Sequence, residues 1–205
     1  MSRENAKEEF PVRIRFARWL GHQRWIPKGQ DALLRAVLNP DAGYDFPFEV
    51  DFFGYRYRGN TKNFLDWTVL LYGAYTPSEL SCLDHVARYL RRQGRRVVYL
   101  DIGANIGHHI LFMSGLADKI YGFHPNRAVL KHAREKIAMN SITNTALYEI
   151  ALGARNETRA YFPPGGANEM TGSFCPGWSG NSRASIPPIH LARAIYGGVE
   201  RTSGL

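Results

Sequence analysis

Apolar and polar positions follow two different patterns along the chain, and the change falls near residue 96. In the first part, a basic amphipathic stretch and a short helix precede an aromatic run in which apolar and polar residues alternate, as is typical of a strand. Gly54 predicts a hairpin turn into a second strand. These elements are predicted over residues 12–20, 31–38, 46–52 and 55–58. Together they predict a small N-terminal α+β appendage, helical and then a β-hairpin, over residues 1–75.

A longer helix is predicted to begin at Pro77 and to end at Gly94. The residues around its start, Thr-Pro-Ser-Glu at 76–79, have the form of a capping box. Its expected buried stripe has helical spacing and consists of Leu80, Leu83, Val86 and Leu90. Arginines crowd into its tail, where cations favour the negative pole of the helix dipole, and they are Arg88, Arg91, Arg92, Arg95 and Arg96.

Beyond residue 96 the pattern alternates between strands and helices. Strands are predicted over residues 96–101, 119–123, 145–151 and 158–162, with helices over 108–116 and 126–139. This order predicts an α/β, Rossmann-like sheet, mostly parallel and with helices on both faces, as the core of residues 76–162. Residues 163–205 are predicted to be an irregular or disordered tail with one helix over 189–196, because residues 163–188 hold 5 Pro, 5 Gly and 4 Ser.

Composition and charge bear on the metal content, the cellular location and the partners expected for this protein. The chain has 205 residues and a formal net charge of +8. Cys82 and Cys175 lie far apart with no metal-binding spacing, so we expect no metal site and no disulfide framework. No signal region or long apolar stretch occurs, which predicts a cytoplasmic protein without a membrane span. We expect no nucleic-acid partner, because no binding motif accompanies the arginine-rich helix tail; binding through that tail is the alternative.

The residues best suited to bind a ligand are concentrated where the first predicted core strand ends. Asp101 closes a buried strand and enters a turn that contains Gly103, Asn105 and Gly107 before a helix begins. Ligands of open α/β sheets bind at this carboxyl edge. The glycine spacing differs from the G-x-G-x-x-G of dinucleotide-binding enzymes and from the Walker A loop, so neither is indicated.

Three ordered motifs in this part of the chain resemble the S-adenosylmethionine-dependent methyltransferases of the FkbM type. They are Asp-Ile-Gly-Ala-Asn-Ile-Gly at residues 101–107, Tyr-Gly-Phe-His-Pro-Asn at 121–126, and Asn140 followed by Ile-Ala-Leu-Gly at 150–153. Upstream, Gly59-Asn60, Asp66-Trp67 and Tyr-Gly-Ala-Tyr at residues 72–75 resemble the N-terminal part of the same family. The resemblance covers roughly residues 45–165 and implies S-adenosylmethionine as the cofactor.

The resemblance also implies roles for single residues. Asp101, Gly103 and Gly107 would cradle the methionine part of the cofactor, with Asn105 beside them. His124 stands where family members usually place a glutamate that accepts hydrogen bonds from both ribose hydroxyls. The last two residues assigned to cofactor binding are Asn126, which completes the second motif, and Glu149, assigned to the adenine region.

The predicted function is O-methylation of a hydroxyl on a carbohydrate or another natural product, so the expected partner is such a small molecule. The weak catalytic candidates are His108 and Tyr72, with His109 and Tyr75 also near by sequence order. The Lys-x-Asp-x-Glu-Gly-type motif expected at a later strand end does not occur, so the resemblance implies a core shortened after about residue 170. A non-catalytic remnant that acts as a binding module is therefore an alternative, and a dinucleotide-dependent oxidoreductase is a less favoured one.

Overall fold

The structure is a computed structural model that describes residues 10–23, 29–42, 44–162, 172 and 174–175, together with the backbone of residues 185–193. The chain divides into two compact units, Met1–Thr76 and Pro77–Leu205. Among the described residues, the longest helix has 16 residues, and none is both long and apolar enough to cross a membrane.

The first unit consists of helices and one hairpin, and it includes a third helix, after the hairpin, that the sequence pattern does not predict. Its helices and strands are α1 (Val12–Gly21), α2 (Gln30–Val37), β1 (Pro47–Phe52), β2 (Tyr55–Asn60) and α3 (Phe64–Tyr72), with a short 3₁₀ turn at Pro40–Ala42. The two strands pair antiparallel from Pro47 opposite Asn60 to Phe52 opposite Tyr55. The turn between them places Phe53 and Gly54 at positive φ, which matches the twist of a two-residue hairpin.

The residues of the upstream motifs hold this first unit together. The buried Tyr57 hydroxyl donates a hydrogen bond of 2.7 Å to Asp66 Oδ1, and the Asn60 amide donates to Asp66 Oδ2 at 3.0 Å. Trp67, fully buried, donates from Nε1 to the Leu38 carbonyl at 2.8 Å. Buried polar groups need such partners, so these motif residues have a structural role in hairpin and helix packing.

The second unit is built on a parallel sheet, which confirms the predicted α/β class. Its elements up to residue 148 are α4 (Pro77–Arg92), β3 (Val98–Ile102), α5 (His108–Met113), β4 (Lys119–Phe123), α6 (Arg127–Met139) and β5 (Thr145–Tyr148). The strand order is β3-β4-β5, and both neighbouring pairs are parallel. Asp101 lies opposite Gly122, and Phe123 lies opposite Tyr148, so the carboxyl ends of all three strands meet at one edge.

The helices of the described part cover one face of this sheet, whereas the sequence predicts helices on both faces. Side chains of α4, α5 and α6 pack with the strand residues Tyr99, Ile120 and Leu147 in one apolar cluster. On the opposite face, the β3 side chains are half exposed, at 51% for Val98, 48% for Leu100 and 64% for Ile102. The reason is that strands, and no further helix, follow β5 in the described residues.

Helix α4 begins at Pro77 and stops before Gly94, as expected, but its predicted details differ. Thr76 has φ 50°, and its buried hydroxyl has no hydrogen-bond partner in the part of the chain that the structure describes, so the capping box does not form. Ala87 is buried in place of Val86, which is 51% exposed. Leu80, Leu83, Ala87 and Leu90 follow a straight helical stripe, and a residue at position 86 lies to one side of it.

Beyond residue 148 the structure differs from the predictions, because a second, three-stranded sheet forms there. The predicted strand over 145–151 is split, because its end forms β6 (Ala151–Gly153), which pairs with β8 (Ser185–Arg193) and not with β4. Strand β8 lies between β6 and β7 (Glu157–Tyr161), parallel to the first and antiparallel to the second.

The predicted loop at 185–188 and the predicted helix at 189–193 are therefore wrong, whereas residues 163–171, 176–184 and 194–205 lie wholly outside the described residues. Pro187 and Pro188 had indicated a loop, but they fall where the β7–β8 register shifts. Prolines have no N–H to donate, but an irregular place in the hydrogen-bond ladder between two strands tolerates them. Pairing of β8 with two neighbouring strands therefore overrides the local preference of these prolines for a loop.

Candidate functional site

The carboxyl ends of β3 and β4 bring the residues of the glycine turn together with His124. The amides of Gly103 and Ala104 both donate to the Phe123 carbonyl at 2.9 Å. One residue further on, the amide of Asn105 donates to His124 Nδ1 at 3.3 Å. These three bonds tie the turn after β3 to the end of β4, so Asp101, Asn105 and His124 lie at one edge of the sheet as the motifs imply.

The two glycines of the turn serve different purposes. Both have a positive φ, 91° at Gly103 and 79° at Gly107, which side chains rarely adopt. A Cβ at Gly107 would lie 2.8 Å from the Cβ of Ala133, so this glycine lets α5 approach α6 closely. A Cβ at Gly103 would meet nothing within 4 Å. Gly107 is therefore needed for packing, whereas Gly103 leaves its backbone open to a ligand.

A pocket of about 410 Å³ opens at the end of β3. Asp101 is its central charged residue: it is only 7% exposed, and its Oδ2 atom has no hydrogen-bond partner within the described part of the chain. Burial raises the pKa of Asp101 from 3.8 to about 6, against the opposing effect of nearby His109. A buried carboxylate without a partner is costly, which makes Asp101 the residue of this pocket best suited to pair with a ligand group.

The pocket also contains residues that the sequence pattern did not single out as lining it. They come from α4, β3 and α5 and include Glu79, Cys82, Tyr99 and His109. His109 Nε2 lies 3.5 Å from Glu79 Oε2, so a pair able to take up a proton stands beside Asp101. Helical spacing could have indicated two of these residues, because Glu79 and Cys82 share the face of α4 that carries the packed residue Leu83.

His124 and Asn105 present two further buried polar atoms at this edge. His124 is 7% exposed, and burial lowers its pKa to about 4, so its imidazole is neutral near pH 7. Its Nε2 atom has no hydrogen-bond partner among the described residues, and the same holds for Asn105 Oδ1. Backbone strain accompanies this arrangement, since Asn105 has φ 49°.

Neither of the two catalytic candidates, His108 and Tyr72, is among the residues that line the pocket. His108 is buried in the core and does not line the pocket; burial above all lowers its pKa to about 3. Its ring meets that of His109 edge to face, with 4.9 Å between centroids. Tyr72 belongs to the first unit, where its hydroxyl donates to Asp31 at 3.2 Å and burial raises its pKa to about 12.

Asn126 and Glu149 also have structural partners. Asn126 caps α6, as the sequence predicts, because its side chain accepts a hydrogen bond of 2.9 Å from the Ala128 amide. Glu149 accepts a hydrogen bond of 2.6 Å from Arg134 and lies 3.8 Å from Arg127. Neither residue lines the pocket. The described residues contain no group of three His, Cys, Asp or Glu side chains able to hold a metal ion.

Comparison with known proteins yields matches only among solved structures: no protein-family model and no curated protein matches the chain. A Streptococcus mutans protein assigned as a methyltransferase and crystallised with SAH is 28% identical, with a TM-score of 0.27, and the match covers 27% of this chain and 32% of that one. An rRNA methylase from Streptococcus thermophilus is 23% identical, with a TM-score of 0.27, over 27% of this chain and 34% of that one.

A SAM-dependent methyltransferase from Agrobacterium tumefaciens is 9% identical, with a TM-score of 0.40, over 51% of this chain and 32% of that one. The matches thus span about a third of the length of each of these proteins. All three are described as methyltransferases, and the second is described as an rRNA methylase.

Proposed function

We propose that the second unit binds S-adenosylmethionine and that the protein is a methyltransferase of the FkbM type. The observation that carries this proposal is the buried carboxylate of Asp101 near the carboxyl end of a parallel strand, whose Oδ2 atom lacks a hydrogen-bond partner among the described residues. Ligands of open parallel sheets bind at this edge, and the positive φ of Gly103 leaves the backbone open there. The three ordered motifs of the sequence point to the same cofactor.

The residues at this edge fit the chemistry of that cofactor. Asp101 is a carboxylate suited to the cofactor's ammonium group, and burial in a low dielectric strengthens such a pairing. Asn105 and His124 offer buried polar atoms for the ribose. When bound, the cofactor supplies a methyl group on a positively charged sulfur, which is the electrophile for an acceptor oxygen.

For the acceptor's proton, we assign His109 as the general base. It lines the pocket beside Asp101, and Glu79 lies 3.5 Å from its Nε2 atom, close enough to stabilise the imidazolium that forms. In the transfer, His109 would take up the proton of the acceptor hydroxyl, whose oxygen would receive the methyl group that the cofactor supplies. The acceptor class, a hydroxyl of a carbohydrate or another natural product, follows from the FkbM resemblance alone.

Calorimetric titration of the full chain with S-adenosylhomocysteine, the demethylated form of the cofactor, tests the binding claim. We expect saturable binding that weakens at least about tenfold in Asp101→Asn, because the ligand's ammonium loses its charged partner. Asp84→Asn is the matched control, since Asp84 pairs with Arg88 on α4 and does not line the pocket. The absence of heat at millimolar ligand would overturn the proposal.

A transfer assay then separates an enzyme from a non-catalytic binding module. Radiolabelled methyl groups are followed into a panel of glycosides and phenolic natural products. We expect transfer to at least one class and a loss of about 100-fold or more in His109→Gln, with S-adenosylhomocysteine affinity retained. Cofactor binding without transfer to any member of the panel would favour the binding-module alternative.

A further inference from the structure

Helix α1 carries apolar side chains on its outward face as well as on its buried face. It packs on α2 and α3, and its buried side chains are those of Ile14, Ala17 and Leu20. Val12, Phe16 and Trp19 lie on the opposite side at helical spacing and are exposed at 79%, 50% and 54%. We call these three residues the outer stripe. A surface helix ordinarily presents polar residues to water, so this outward face lacks the side chains that solvent alone would favour.

The side chains of the outer stripe adjoin one another. The rings of Phe16 and Trp19 stack with 5.9 Å between their centroids and 29° between their planes. Val12 lies one helical turn before Phe16, on the same side of the helix. Single apolar residues scattered over a surface need no partner, but adjoining ones form the kind of patch that marks an interaction site.

The charges on α1 show what kind of partner fits the outer stripe. The helix contains no acidic residue and three arginines. Arg13 and Arg18 are held at the sides of the helix, where their guanidinium groups lie 5.6 Å from the ring centroid of Tyr44 and 4.6 Å from that of Phe10. Arg15 lies on the outward face, four residues before Trp19, and its exposed side chain has no ion-pair or hydrogen-bond partner among the described residues.

We propose that α1 docks the protein on the surface of an anionic lipid bilayer, with the outer stripe among the acyl chains and Arg15 paired with lipid phosphate. A bilayer of this kind places a negatively charged layer directly above an apolar one, which is the combination that this face complements. Tryptophan is suited to the boundary between the two layers, and the apolar stem of arginine lets its charged head reach the phosphates.

The structure also sets the mode and the strength of this docking. With 10 residues, α1 is too short to cross a bilayer, so it would lie in the plane of the interface. Three apolar side chains and a few arginines give weak, reversible binding. A nucleic acid is a poorer match, because Val12 cannot stack on a base and the rings of Phe16 and Trp19 already stack on each other.

Sedimentation of the full chain with lipid vesicles tests the proposal. The vesicles contain either phosphatidylcholine alone or phosphatidylcholine and phosphatidylglycerol in equal parts. We expect binding to the anionic vesicles to be at least about tenfold tighter than to the neutral ones, and to weaken as salt is added. Arg15→Gln should weaken binding to the anionic vesicles about fivefold, and Trp19→Ala should weaken it at least about fivefold.

Tyr89→Ala is the matched control for these variants. Tyr89 is 58% exposed and lies near the arginines at the end of α4, so it resembles Trp19 in exposure and setting but belongs to another helix. Its replacement should leave vesicle binding unchanged. Because the replaced side chains are exposed, all three variants should keep the unfolding temperature of the wild type, which thermal unfolding checks.

Fluorescence reports directly on whether Trp19 enters the bilayer. The chain has four tryptophans, so the emission of Trp19 is obtained as the difference between the wild type and Trp19→Phe, a variant that keeps an apolar ring and should still bind. This difference should shift to shorter wavelength when anionic vesicles are added, since the indole passes from water into the interface. An emission difference that does not shift on binding would show that another surface meets the lipid.

Further outcomes would overturn the proposal. They are equal binding to neutral and anionic vesicles, no binding to either, and unchanged binding in both Arg15→Gln and Trp19→Ala. If the wild type ignores vesicles but forms a dimer, or binds RNA, in a way that Trp19→Ala abolishes, the outer stripe is covered by a second copy of the chain or by nucleic acid, and the membrane proposal is wrong. None of these results depends on the cofactor, so they leave the proposed function untouched.

Discussion

Replacement of Asp101 by asparagine should make the ligand-free protein more stable and weaken its binding of the cofactor. Asp101 is 7% exposed, its Oδ2 atom has no partner among the described residues, and burial raises its pKa from 3.8 to about 6. Above pH 6 the folded protein therefore holds a charge that the unfolded chain keeps in water. An asparagine of nearly the same shape removes that charge without opening a cavity.

The pKa values set the size and the sign of the effect. The difference between 3.8 and about 6 converts at 1.36 kcal/mol per pKa unit to about 3 kcal/mol. Below pH 3.8 the carboxyl is neutral in both states, and the wild type bears no cost. Between pH 3.8 and 6 the folded state binds the proton and the unfolded state does not, so the free energy of unfolding falls as pH rises. Above pH 6 the full cost is present.

Urea unfolding of the wild type and Asp101→Asn at pH 4, 5, 6 and 7.5 measures this effect. The difference in free energy of unfolding should be near zero at pH 4 and should grow to about 3 kcal/mol in favour of the variant at pH 7.5. His108 and His124 titrate in the same range with the opposite sign, because their pKa values are lowered, but their contributions cancel in the difference. A difference that does not change with pH would refute the reasoning.

The remaining predictions concern packing, a buried hydrogen bond and a second titration. Gly107→Ala should lower the free energy of unfolding by about 3 kcal/mol, because strain at positive φ adds to steric overlap with α6. Gly103→Ala should lower it by only about 1 to 2 kcal/mol, because only the strain applies there. Equal losses in urea unfolding would contradict this. Tyr57→Phe should destabilise the protein by about 2 kcal/mol in thermal unfolding through loss of its buried bond to a carboxylate, and Tyr55→Phe should change stability by less than about 0.5 kcal/mol. His108→Gln should have a lower free energy of unfolding than the wild type at pH 7, and this difference should shrink by about 2 kcal/mol as pH falls to 5. The reason is that only the wild type carries a histidine whose lowered pKa costs stability below pH 6.5. A difference that grows as pH falls, measured by urea unfolding, would be inconsistent with a neutral buried imidazole.

Local signals were enough to predict the core of the second unit. The strand that contains Asp101, the helix capped by Asn126 and the strand over residues 119–123 lie where the apolar pattern places them, although one face of β3 is half exposed and not buried as predicted. Turn chemistry likewise located the turn after β3, because glycine at Gly103 and Gly107 marks positive φ regardless of the rest of the chain. Such signals depend on periodicity and backbone sterics, which act over a few residues.

The composition of the pocket required the tertiary structure. Glu79 has the sequence signature of a capping box, yet it lies beside His109, 30 positions further along the chain. Adjacent histidines look equivalent in the sequence, but the helix turns one into the core and the other into the pocket. The hydrogen bond that His124 Nδ1 accepts comes from the amide of Asn105, 19 residues away. These facts are set by contacts between distant segments, which a local pattern does not encode.

The sequence by itself determined the alternation of strands and helices, the parallel α/β class and the Asp101 turn, because each follows from the geometry of neighbouring residues. Only the tertiary structure decided that β8 lies between β6 and β7, that the described helices cover one face of the main sheet, and that Asp101 Oδ2 has no hydrogen-bond partner among the described residues. Strand pairing and burial are free energies shared between segments far apart in the chain, so they override local propensity wherever the two disagree.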